Sequence, residues 1–358
     1  MVAPRYVPPL RGSPRWLRKS FLALSVAILV SALFVVPLPQ IPGSDCCSAY
    51  LETPGAALPL ARSVSTEEET AGGIDGEYLV MTVNLRPATA WGWLRAQLFA
   101  DASLQPRNTV VSGEISDRDY FQRQRTVFDT SAAVAASVGL EHAGYPVDRD
   151  QLTGSGALVA RVIEGAPADG TLRPGDVITA VDGERIQVAE ELRALLSEGS
   201  GERVVSVRRG SLDLQLRVAP GVISIDGESV WGIGADYHTA NPRVALPISV
   251  QVDAGRIGGP SAGLLTALTV YDMLDPIDLA AGRRIAGTGT MAPDGTVGRI
   301  GGVRQKIWAA HRESADVFVV PESQVETAVE ALPSNSTMRI IPVATFDEAV
   351  SALLATVD

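Results

Sequence analysis

Residues 258–274 read GGPSAGLLTALTVYDML, and this stretch decides how the rest of the chain is read. From Ala262 to Leu274 the apolar residues recur at helical spacing, which predicts an amphipathic helix. The glycines and proline ahead of it make a tight entry, and Leu246 to Val252 before them has the composition of a strand. Ser261 therefore falls at a helix N-terminus, where unbonded N–H groups and the helix dipole favour negative charge. A serine in that position serves either as a helix cap or as a nucleophile whose developing oxyanion meets preorganised donors.

A second stretch, residues 285–306, reads IAGTGTMAPDGTVGRIGGVRQK. Its pattern is a strand, a hairpin turn at Asp294-Gly295, a short strand, and a glycine-hinged entry to a helix from Val303 to Glu313. Of the 30 basic residues, 28 are arginine, and the two lysines are Lys19 and Lys306. A lysine acts as a general base once burial or nearby positive charge brings its pKa down, whereas an arginine never deprotonates. The one lysine beyond residue 19 thus stands where arginine could not serve, and a surface lysine on a helix is the alternative.

The two segments resemble the proteolytic domain of the Lon family, which pairs a serine in G-P-S-A-G with a lysine in a later G-G-x-x-x-K. The likeness runs from about Leu246 to Pro321, where Ala309-Ala-His-Arg312 and Ala315 to Pro321 continue the pattern. It implies that Ser261 is the nucleophile, Lys306 the base, and Thr288 the threonine that hydrogen-bonds the lysine. Gly259, Pro260 and Ala262 would form the loop around the nucleophile and its oxyanion. The resemblance also implies a homo-oligomer, a hexameric ring. Two features depart from the pattern: Gly258 stands where many Lon proteases have an acid three residues before the serine, and Ser249 and Gln251 replace histidines of the preceding strand.

Residues 151–218 change character. A strand over Ala157 to Ile163 is followed by Gly165-Ala-Pro-Ala168 and by LRPGDVITAVDGERI at residues 172–186, where Asp182-Gly183 makes a tight turn. A short helix from Val188 to Leu196 and two alternating strands over Arg203 to Val218 complete it. The order and the GDVIxxVDG core resemble a bacterial protease-associated PDZ domain. That likeness implies peptide binding at the loop Gly154, Ser155, Gly156, Ala157 and Leu158, with strand addition beside it. A structural β-domain without ligand is the other reading.

The N-terminal part reads as an anchor. Residues 21–41 are uncharged and mainly apolar, enough for the ~20 residues that cross a bilayer. Arg5, Arg11, Arg15, Arg18 and Lys19 precede this run and acidic Asp45 and Glu52 follow it, which puts the N-terminus in the cytoplasm and the body outside. A cleaved signal peptide is the rival reading. Cys46 and Cys47 are either inert or an intermolecular disulfide. In residues 42–150 a linker precedes a strand over Glu77 to Leu85 and helices over Ala88 to Ala100 and Asp117 to Leu140; no chemistry is visible there, and a structural or positioning role is expected.

Composition excludes other classes. The net charge is −11 and the residues after the basic first 20 are strongly acidic, a poor surface for nucleic acid. Neither lysine follows a glycine, so no P-loop binds nucleotide, and the isolated His142, His238 and His311 with one cysteine pair make no metal site. The expected fold class is α+β: a basic segment (1–20), a transmembrane helix (21–41), a mixed α/β extracytoplasmic region (42–150), a PDZ β-domain (151–218) and a Lon-type α+β proteolytic domain (219–358). The expected protein is a single-pass, ATP-independent membrane serine endopeptidase, without cofactor, whose PDZ domain selects or presents protein substrates. A catalytically inactive, membrane-tethered adaptor binding protein C-termini is the alternative.

Overall fold

The computed structural model describes residues 49–66, 73–110, 117–148, 153–163, 165–197, 201–225, 228–253 and 258–356, with isolated positions elsewhere. The apolar run at 21–41 and the Cys46-Cys47 pair lie almost wholly outside the described residues, and no described helix is long and apolar enough to cross a membrane.

Along the chain the elements are β1 (Ala49–Pro59), β2 (Val64–Thr66), β3 (Glu77–Pro87), α1 (Ala90–Leu98), β4 (Ser103–Pro106) and α2 (Asp117–His142). The PDZ-like segment supplies β5 (Ala157–Val162), β6 (Val177–Val181), β7 (Glu184–Arg185), α3 (Ala189–Ser197), β8 (Arg203–Arg209) and β9 (Leu212–Val218). Then come β10 (Gly221–Ile225), β11 (Glu228–Gly232), β12 (Ala235–Thr239), β13 (Val250–Val252), a 3-10 turn at Pro260–Ala262 and α4 (Gly263–Leu274). The chain closes with β14 (Arg284–Gly287), β15 (Thr290–Met291), β16 (Val297–Gly298), α5 (Val303–Arg312), β17 (Val317–Pro321), α6 (Val325–Ala331), β18 (Arg339–Val343) and α7 (Phe346–Leu354).

One six-stranded sheet, ordered β18-β17-β14-β3-β1-β4, joins strands from both sides of the PDZ-like segment. β18, β17, β14 and β3 run parallel, and β1 pairs antiparallel with β3 and β4. Both faces are covered, so strands such as Val317–Pro321 are apolar without alternation. Tyr78, Val80, Val317 and Val319 face a core completed by α2, α4 and α7, while Leu79, Met81, Phe318 and Val320 face one completed by α5 and α6. All twelve residues of α4 are buried, and Gly139 lets α2 close on it, since a Cβ there would sit 2.5 Å from the Ala267 carbonyl.

This arrangement redraws two expected divisions. Residues 49–142 are part of the same sheet and core as residues 258–354, because β3 pairs with β14 over Glu77–Val80. Residues beyond Val218 also reach back: β12 pairs with β5, giving a second sheet ordered β12-β5-β6-β8-β9 packed on α3. The strand expected over Leu246 to Val252 shortens to β13, which pairs with β2; Pro247 lacks the N–H a longer ladder needs. The helices fall within two residues of their expected ends.

Candidate active site

Topology brings the reactive groups together. α4 leads into β14, and α5 leads into β17 parallel to it, on opposite faces of the sheet. A helix preceding a parallel strand starts at that strand's carboxyl end, so the first turns of both helices meet where β14 ends at Gly287. Thr288 is the next residue. Ser261 sits in the 3-10 turn that opens α4, and Lys306 lies in the first turn of α5.

The result is a hydrogen-bonded triangle. Lys306 Nζ is 2.7 Å from Ser261 Oγ and 2.9 Å from Thr288 Oγ1, and Thr288 Oγ1 lies 3.1 Å from the Ser261 carbonyl, to which it donates. The Gly289 N–H also donates to that carbonyl, at 3.0 Å, which fixes the backbone of the serine. Thr288 is fully buried and Lys306 is 3% exposed. Burial disfavours the ammonium and pulls the Lys306 pKa down to about 7, against the opposing pull of the Glu52 carboxylate. A neutral amine at this position can accept the Ser261 hydroxyl proton.

The surrounding loop is arranged less simply than its sequence implies. The Gly259 N–H donates to the Gln124 carbonyl of α2 at 2.7 Å and Pro260 has no N–H, so neither donates to an oxyanion. The first-turn amides of Ser261 and Ala262 are the donors left at this helix end. Gly258, where an acid was absent, faces α2: a Cβ there would lie 2.9 Å from Gln124 Cβ. No histidine replaces the lysine. His142 rests on Phe346 near Asp347, His238 is half-buried on β12, and His311 packs edge-on to Trp308. No metal-holding cluster occurs among the described residues.

Sequence reasoning gave no site role to Glu52, Ser103, Gln105, Gln124 or Gln305, all of which touch the site or its neighbours through contacts distant in sequence. The expected peptide loop makes contacts of its own within the domain. The Ser155 N–H donates to the Ala240 carbonyl and the Gly156 N–H to the Gln187 carbonyl, while Ala157 and Leu158 pair with both β12 and β6. Gly154 is packed against Gln187 and Thr239. Two amides of the loop are thus engaged within the domain, and its strand is flanked on both sides. β12 and β9 are the outer strands of this sheet's path, and β12 is the one beside Ala157 and Leu158.

Two family models match parts of the chain. Residues 232–356 match the Lon protease (S16) C-terminal proteolytic domain, and residues 158–209 match a PDZ domain. In these two parts the chain is similar to the domains of PDZ-containing Lon-type proteases. Lon protease of Endomicrobium trichonymphae is 35% identical over 120 residues, covering 32% of this chain and 13% of that one. Lon protease of Rickettsia bellii is 28% identical over 183 residues, covering 50% of this chain and 22% of the other. The chain thus spans less than a quarter of the length of these curated relatives. A probable periplasmic DegP-like serine endoprotease of Hahella chejuensis is 37% identical over 100 residues, 27% of this chain and 21% of that one. Among solved structures, the PDZ domain of an SdrC-like protein from Listeria monocytogenes covers 24% of this chain and 90% of its own, at 24% identity and TM-score 0.22.

Proposed function

We propose that the chain is an ATP-independent serine endopeptidase using a Ser261-Lys306 dyad, anchored through residues 21–41 with its catalytic body outside the cytoplasm. The observation that carries the reading is the buried Lys306 amine 2.7 Å from the Ser261 hydroxyl. Neutral Lys306 takes the hydroxyl proton as Ser261 Oγ bonds to the peptide carbonyl carbon, and the amides of Ser261 and Ala262 hold the oxyanion. The tetrahedral adduct collapses, the C–N bond breaks, and Lys306 returns the proton to the leaving amine. Water, deprotonated by Lys306, then cleaves the ester and restores Ser261. Thr288 holds both the amine and the Ser261 backbone in register.

In this reading the PDZ domain presents the substrate as an added strand along β12, beside α3, whose Ala189 N–H is tied to Thr239. The test is hydrolysis of an unfolded reporter by the detergent-solubilised full chain without nucleotide. Activity lost in Ser261→Ala supports the dyad, and equal activity in that variant refutes it. Peptide binding without any turnover would indicate the adaptor instead. Protease protection of the body in intact cells would contradict the extracytoplasmic placement.

A further inference from the structure

A carboxylate that no motif marks is linked through Ser103 to the residue before Lys306. Glu52, half-buried on β1, accepts hydrogen bonds from Ser103 Oγ at 2.9 Å and Gln105 Nε2 at 3.3 Å, both on β4. The same Ser103 oxygen accepts from Gln305 Nε2 at 2.8 Å, and Gln305 is the residue before Lys306, with only 2% exposure. Two elements therefore clamp one acid against the helix that carries the lysine. The Glu52 carboxylate pulls the Lys306 pKa upward, against the effect of burial.

The other charges around α5 are engaged elsewhere or face outward. Glu77 on β3 pairs with Arg284 on β14, Arg304 faces Glu330 of α6, and Arg312 holds Asp101. Arg86 and Glu326 are exposed. Ser261 and Thr288 contribute uncharged hydroxyls. The nucleophile loop offers no acid either, since α2 occupies the space beside Gly258.

We propose that Glu52 is the counter-charge that sets when Lys306 becomes free to accept a proton, a positioning residue delivered by β1 and locked by Ser103, Gln105 and Gln305. Burial alone disfavours the ammonium, so the lysine would lose its proton more readily without this carboxylate. With it, the amine holds its proton until near neutrality and can still return one to the leaving group. The inference rests on the dyad reading but is tested separately from it.

The chain has two lysines, Lys19 and Lys306, so full-length protein labelled with carbon-13 at the lysine Cε gives two resolvable titrations. The Lys306 signal is expected to titrate near 7 in the wild type. In Glu52→Gln its midpoint should fall by about one pH unit. Glu52→Asp, which withdraws the charge by one methylene, should give a smaller fall and serves if the glutamine variant does not fold. An unchanged or raised Lys306 midpoint in the folded variants overturns the proposal whether or not the protein proves to be a peptidase. If it does hydrolyse peptides, the acid limb of kcat/KM should move with the lysine. At one unit below the wild-type midpoint, Glu52→Gln then keeps about half its plateau where the wild type keeps about a tenth. A uniform loss at every pH, with the limb unmoved, marks a merely structural role and overturns the proposal.

Discussion

Ser261 and Lys306 lie 45 residues apart and on opposite faces of one sheet, yet their side chains meet at 2.7 Å. Thr288, at the carboxyl end of the strand between the two helices, bonds to both residues. Each of the three can be tested by a change that leaves the fold standing.

Lys306→Arg keeps the positive charge and removes the base, because a guanidinium does not deprotonate. Peptide hydrolysis is expected to fall by roughly 10²–10⁴-fold, the usual contribution of a positioned acid–base group. Steady-state kinetics on a folded variant, checked by circular dichroism, decides it.

Lys306 also couples stability to pH. The unfolded lysine binds its proton up to ~10.4, whereas the folded one binds it only below about 7. Between those values the unfolded state holds more protons, so stability should rise with pH across the window and the group should add no slope below it. Lys306→Met removes the buried charge and should be more stable than wild type at pH 7, with the advantage shrinking by roughly 2–3 kcal/mol towards pH 9.5. Paired denaturation curves at the two pH values measure this.

Thr288→Val keeps the shape and deletes the hydroxyl that binds Lys306 Nζ and the Ser261 carbonyl. Loss of about 1–2 kcal/mol of stability is expected from the unsatisfied buried partner. Turnover should fall about tenfold through misplacement of the amine, and more through kcat than KM. An unchanged kcat would show that the threonine only fills space.

Gly258→Asp would place an acid three residues before the serine. Its Cβ would fall 2.9 Å from Gln124 Cβ, so α2 must shift and the Gly259–Gln124 hydrogen bond should weaken. The variant is expected to melt several degrees lower, for a cost of about 1–3 kcal/mol. A melting temperature equal to wild type would show that α2 yields freely there.

The sequence by itself determined the identities of the reactive groups. Helix period, the Asp294-Gly295 turn and the glycine-rich entries are written within windows of a few residues, and chemistry restricts the base to a residue that can lose its proton. Ser261 and Lys306 could therefore be singled out as candidates before any contact was known, and the resemblance to the Lon family implied Thr288. Only the tertiary structure decided which partners surround them, because strand pairing and burial depend on residues far apart. β1 carries Glu52 into the site through its register with β3, which in turn pairs with β14. The Glu77–Arg284 ion pair joins the same two halves across 207 residues. The PDZ-like loop shows the converse: Gly154 to Leu158 looks open as a sequence, and β12, arriving about eighty residues later, occupies the edge it would have offered.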